Sequence, residues 1–242
     1  MSKSDSPGAL HLADQIGQSQ RLLDHLEKQA EAYPRLLELQ HWQRCRLRET
    51  YSDLRSHERF STACVFFLEE LYGGRDMRER DRQLERVLPI MQRFLPDHLL
   101  HAIGEAMRLQ RISMDLDAQL SQVIEGELDQ PEYARGYRRL NVWTRREQQI
   151  DLIGDLGHLL ERTVKRRMIR RLVRWMHGPA VAAGFVKLQE FLMEGLDAFY
   201  IMGDSADYFV ETIVEREHKA LAAIRDGEDW PFEPWIGHGP EA

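Results

Sequence analysis

Residues 60–95 read FSTACVFFLEELYGG and then RDMRERDRQLERVLPIMQRFL. An apolar segment of helical period stops at Gly73-Gly74, the residue type that takes the left-handed cap at a helix end. A second segment follows at once, charged on one face and apolar on the other. Asp76 can cap it, with Glu79 three residues on as a near match to a capping box. A helix with one apolar stripe has to bury that stripe against a neighbour, so two in succession specify helix-on-helix packing. The rest of the chain repeats the pattern. The expected fold is therefore all-α, a single multi-helix bundle of about eight to nine helices with an irregular tail rich in Pro and Trp.

The stripes place the elements. Ile16, Leu22, Leu23, Leu26 and Ala30 mark a first helix. Pro34 can open a second, where its missing N–H costs nothing; it carries Leu36, Leu37, Trp42, Leu47, Tyr51 and Leu54. Pro89 falls inside the helix marked by Leu84, Val87, Leu88, Met91 and Phe94, and is expected to kink or interrupt it. Pro96 and Asp97 start a helix with Leu100, Ile103, Met107, Leu116 and Leu120 inward. Asp129 begins a short one, and Thr144-Arg-Arg-Glu147 is a full capping box for a long one. That long helix is expected to end at His177-Gly178-Pro179. Asp204 is expected to cap the last helix, running through Ile224. Residues 1–8 are expected to be unstructured, 9–225 to form one helical domain with a soft boundary near 126–137, and 226–242 to be an irregular tail whose aromatic residues dock onto the body.

Composition narrows the function classes. No uncharged run approaches the length of a bilayer span, so no membrane crossing is expected. Two cysteines, Cys45 and Cys64, lack metal-ligand spacing and suit a cytoplasmic protein with reduced thiols. A net charge of −7 does not favour generic nucleic-acid binding. The charge is uneven, however: residues 162–174 hold seven basic side chains and no acidic one, while 190–242 carry a local balance of −10.

The chain also resembles a set of uncharacterised bacterial all-helical proteins. The shared pattern is FF-x-x-x-LYG, here Phe66-Phe67 to Leu71-Tyr72-Gly73. It continues as RD-x-x-L-x-R-x-x-P-x-M, here Arg80-Asp81, Leu84, Arg86, Pro89 and Met91, and then Leu95-Pro96. The resemblance implies a helical fold over most of the chain and no particular activity.

Three constellations carry chemistry. Arg162, Lys165, Arg166, Arg167, Arg170, Arg171 and Arg174 form a basic run with an apolar side, suited to an acidic protein partner or to self-association through the acidic final helices; nucleic acid is possible but not favoured. Glu215 and His218 form E-x-x-H, and Asp155 and His158 a second, imperfect copy; together with Glu69 or Glu70 and Glu190 or Glu194 they could make a ferritin-like di-iron centre. His98 and His101, beside Asp97, could share a ligand or haem. No nucleophile elbow, phosphate loop, dinucleotide fingerprint or zinc spacing is present. The reading is a non-enzymatic protein, without cofactor, acting through macromolecular binding; the alternative is an iron or haem protein.

Overall fold

The computed structural model describes residues 6–28, 33–67, 77–164, 171, 174 and 186–239. Among these it contains eleven α-helices and no strand. They are α1 (Pro7–Glu27), α2 (Tyr33–Thr50), α3 (Ser52–Ser56), α4 (Glu58–Phe66), α5 (Met77–Phe94), α6 (Asp97–Ser121), α7 (Gln130–Leu140), α8 (Trp143–Val164), α9 (Val186–Met202), α10 (Ala206–Arg225) and α11 (Glu233–Ile236). Arg171 and Arg174 are also helical. The Gly73-Gly74 break and the His177-Gly178-Pro179 stop lie outside the described residues.

Helix α6 is the axis of the assembly. Its N-terminus meets the N-terminus of α1, since the Gly8 amide donates to Asp97 Oδ1 at 2.8 Å. Further along, Leu22 and Leu26 of α1 pack with Met114 and Ala118 of α6, so the two helices run parallel. Asp97 thus caps a neighbouring helix as well as sitting in the first turn of its own. Hydrogen bonds from Ser6, Gly8 and Ala9 hold its carboxyl below the usual range.

Helices α8 and α10 run antiparallel: His158 faces Asp207, His218 faces Asp151 and Arg225 faces Glu147. They approach closely because Gly157 has no side chain. A Cβ there would lie 2.5 Å from a Val210 methyl.

The apolar stripes close two main cores. One gathers Phe60, Phe66, Met91, Leu100, Phe199 and Phe209, with Phe67 against Phe199 and Phe209 at 5.9 and 5.8 Å between ring centres. The other gathers Trp42, Leu120, Tyr133, Ile224 and Phe232. Each large side chain so buried contributes about 1.5–3 kcal/mol. Phe232 lies in the tail, which docks as its aromatics suggest. The Gln130 amide clasps it by donating to the Gly237 and Gly239 carbonyls and accepting from the Phe232 N–H.

Several local expectations are corrected. The helix count exceeds eight to nine, partly because the expected second helix breaks at Tyr51 and restarts as α3; the break turns the Tyr51 ring into the core, where it is 5% exposed. Of the kink or interruption expected at Pro89, the interruption does not occur, and helix α5 runs on to Phe94. Pro89 and Glu85 are both exposed, so the missing hydrogen bond falls on the water side, where solvent can satisfy the carbonyl. Helix α8 starts at Trp143, one residue before Thr144; the Arg145 and Arg146 amides bond the Val142 carbonyl, and Glu147 pairs with Arg225. Helix α1 already begins at Pro7, inside the stretch expected to be unstructured. Asp204 stands in a 3-10 turn (Gly203–Ser205) rather than at the cap of α10, because Gly203 takes a positive φ of 56°. A single helical turn, Glu233–Ile236, forms within the tail, with Pro234 tolerated in its first turn.

Candidate ligand-binding site

The sequence-derived candidates are dispersed. Arg162, Arg171 and Arg174 are exposed, while Lys165, Arg166, Arg167 and Arg170 lie outside the described residues. Glu215 pairs with Lys219 and Asp155 is exposed. His158 meets Asp207, whereas His218 meets Asp151. Asp207 and His218 lie eleven positions apart on α10, about 16 Å of helix. The two E-x-x-H copies therefore do not converge on one centre. His101 lies against His11 of α1.

What does converge is polar, buried and drawn from α2, α7, α8 and α10. Arg46 of α2 has a 6% exposed side chain, and its Nη1 bonds Glu217 Oε1 of α10 at 2.5 Å. The Tyr51 hydroxyl donates to the same oxygen at 2.7 Å. The Arg46 guanidinium also lies 4.3 Å over the Phe232 ring. Burial works against the charge of Arg46, yet Glu217 outweighs it and the guanidinium holds its proton more tightly than in water. Burial, reinforced by Glu217, pushes the Tyr51 hydroxyl well above its ordinary range. Outside this pair, Arg216 grips Asp53 with two parallel bonds of 2.8 and 2.6 Å and donates to the Thr50 carbonyl. That clamp fixes the α2–α3 break against α10.

A second buried arginine lies on α8. Arg146 donates to Gln149 Oε1 at 3.0 Å, approaches Asp117 Oδ1 at 3.6 Å and stacks 4.6 Å over Tyr137. Gln149 in turn donates to Ser113 Oγ. Tyr133 and Tyr137 share a hydroxyl–hydroxyl bond of 2.8 Å, and burial pushes the Tyr137 hydroxyl well up.

Between these groups lies a cavity of about 180 Å³. Its apolar wall includes Leu109, Ile150, Ile153, Leu156, Phe209 and Val210, and its polar end Gln43, Arg46, Tyr51, Tyr133, Arg146 and Glu217. The polar atoms buried there without a hydrogen-bond partner include Gln43 Oε1 and Arg46 Nε. They lie three positions apart on α2, hence on one helix face. One accepts a hydrogen bond and the other donates one. A buried polar group left unpaired costs about 1–3 kcal/mol, so this end is set to receive a polar atom. The charges around it balance, two arginines against Glu217 and Asp117.

The sequence alone does not reveal this arrangement. In QRCRLRE, Arg46 reads as one of three arginines on a solvated helix. Glu217 stands between Glu215 and His218, and only the two ends of that motif have ligand spacing. A signal existed in principle: the stripe Leu39, Trp42, Gln43, Arg46 and Thr50 keeps helical period while turning polar, and all five are buried.

Among the described residues no helix is long and apolar enough to cross a membrane. Comparison with curated proteins and with solved structures finds no match. A family model described as a domain of unknown function, DUF8198, does match residues 22–231, which include α2 to α8, α9, α10 and every group at the cavity's polar end, and the chain belongs to that family.

Proposed function

We propose that the protein is a binding protein for a small neutral ring compound carrying one hydroxyl-type group, held in the cavity between α2, α6, α8 and α10. The observation that carries this reading is the presence of an unpartnered acceptor, Gln43 Oε1, and an unpartnered donor, Arg46 Nε, in the lining of a mostly apolar cavity. A hydroxyl both donates and accepts, so it satisfies both. An apolar cavity of about 150 Å³ is enough to take up benzene, and 180 Å³ accommodates a ring with one polar substituent. Balanced charge at the polar end argues against a ligand of either sign, since an added ion would bring an uncompensated charge into a site of low dielectric.

The test is titration of the full chain with benzene, phenol and benzoate, followed by calorimetry and amide NMR. Phenol is expected to bind most tightly and to perturb residues of α2 and α8. In Leu156→Phe, which fills the cavity, the response should disappear while helicity stays. Binding of none of the three, or preference for benzoate, would overturn the reading.

A second reading rests on the exposure of Arg162, Arg171 and Arg174: capture of an acidic partner, or self-association, through the basic face. Both cysteines are free, which supports a reducing, cytoplasmic setting. Sedimentation at low and high salt is the check. Association that salt and Arg171→Glu/Arg174→Glu both weaken supports this reading; identical sedimentation throughout removes it.

A further inference from the structure

We propose that His11, His101 and Glu105 form a site for a divalent transition-metal ion, zinc by ligand preference, that ties the N-terminal helix α1 to α6. This site is independent of the cavity. His101 and Glu105 lie four positions apart on α6 and share a face. His11 comes from α1. Their ligand atoms all lie within 4.8 Å of one another. In a tetrahedral zinc site, ligand atoms about 2.0–2.2 Å from the metal stand about 3.3 Å apart. Small side-chain rotations close the difference.

The backbone makes room for this arrangement. Residue 104, between His101 and Glu105, is glycine. A Cβ there would lie 2.5 Å from His11 Cδ2, so the missing side chain is what lets the imidazole lie down on α6 between its two neighbours. The parallel docking of α1 at Asp97 then fixes the height of His11 along α6.

The contacts within the cluster fit ligation better than a simple ion pair. His11 Nε2 is 2.7 Å from Glu105 Oε1, yet it is buried and makes no aligned hydrogen bond. The His11 and His101 rings lie 4.9 Å apart and tilted by 39°, so neither is stacked flat on the other. Arg108 donates to the other oxygen, Glu105 Oε2, at 3.2 Å and orients the carboxylate, as outer partners of metal ligands do. His11 and Glu105 are half-buried and His101 is exposed. The open side leaves coordination positions to water. Two imidazoles and one carboxylate are donors for zinc or another borderline divalent metal, and too few oxygens for calcium.

A second group, His158, Glu161 and Asp207, brings one imidazole and two carboxylates together. With a single nitrogen donor it is the weaker zinc ligand set, which makes it the internal control. His11 precedes residue 22, where the family match begins. The proposed metal therefore joins a segment outside the matched region to the body inside it.

The experiment is calorimetric titration of the full, metal-stripped chain with Zn²⁺, and visible spectroscopy with Co²⁺. Wild type is expected to bind one tight equivalent of zinc and to raise its melting temperature by roughly 5 °C at a hundredfold excess of zinc over the dissociation constant. Co²⁺ should give a ligand-field band. The control His158→Asn should keep both responses. His101→Ala changes an exposed side chain, so its fold should hold by circular dichroism; its zinc affinity should fall at least tenfold and its cobalt band should vanish. No stoichiometric zinc in wild type, or equal affinity in His101→Ala, would overturn the proposal.

Discussion

Glu217→Ala is expected to destabilise the protein by about 3–5 kcal/mol, the largest loss expected from a single polar substitution among the described residues. The reason is what it leaves behind. Arg46 is almost fully buried, and Glu217 is its counter-ion at 2.5 Å. Removing the carboxylate strands a guanidinium in the core and takes from the Tyr51 hydroxyl its nearer acceptor, leaving the Ile213 carbonyl at 3.4 Å. A surface pair would be worth less than about 1 kcal/mol, because water replaces the lost partner; here the Arg46 side chain is only 6% exposed and its guanidinium lies over the Phe232 ring. The pair need not be a net stabiliser for its breakage to be costly. Arg46→Met combined with Glu217→Leu removes both charges and should recover most of the loss. Urea denaturation of wild type, the single variant and the double variant measures this directly. A single variant within about 1 kcal/mol of wild type would mean that Arg46 reaches water, and the buried polar end of the cavity would not exist as described.

The difference between what could be read and what could not follows from where the information resides. Helix identity is local. Asp129 was readable as a cap because its partner, the Glu132 amide, is three residues away, and the bond is there at 2.7 Å. Leu100, Met107, Leu116 and Leu120 were readable as inward because one stripe defines one face, and each is at most 5% exposed. The Tyr51 break was not readable, since it depends on Arg216 and Glu217 more than 160 positions away. The same holds for the sites. His11 reaches His101 across 90 positions, a contact that no spacing on one helix announces. Buried arginine looks identical to solvated arginine until the neighbouring helix is placed. Motif spacing finds chemistry that lies on one helix, and every convergent group here is split between helices.

The second large effect concerns Glu132, a buried acid that pins the loop between α6 and α7. Its side chain is 4% exposed. Its Oε1 accepts from the Glu125 amide at 2.9 Å and from Arg139 at 2.7 Å, while Oε2 accepts from Arg135 at 3.0 Å. Arg139 also donates to the Val123 carbonyl, so one carboxylate organises the 122–129 connection, which leads into the 126–137 stretch where the sequence suggests a soft boundary. Burial by itself would raise the carboxyl, but the Glu125 amide and the two arginines outweigh it and draw it down to about 2. A folded-state value below the unfolded one means that stability is fully present above about pH 4.5 and drains away as pH falls toward about 2. At about 1.4 kcal/mol per pH unit, the carboxylate contributes about 3 kcal/mol at neutral pH. Glu132→Gln keeps the shape and removes the charge. It should therefore lose about 3 kcal/mol at pH 7 and roughly half of that or less at pH 3, where the carboxyl of the unfolded wild-type chain has taken up its proton while the folded one is still ionised. Paired urea melts at the two pH values decide the matter. A Glu132→Gln deficit that is the same at both would show that the carboxylate charge contributes nothing, and that Glu132 holds the loop by shape and neutral hydrogen bonds alone.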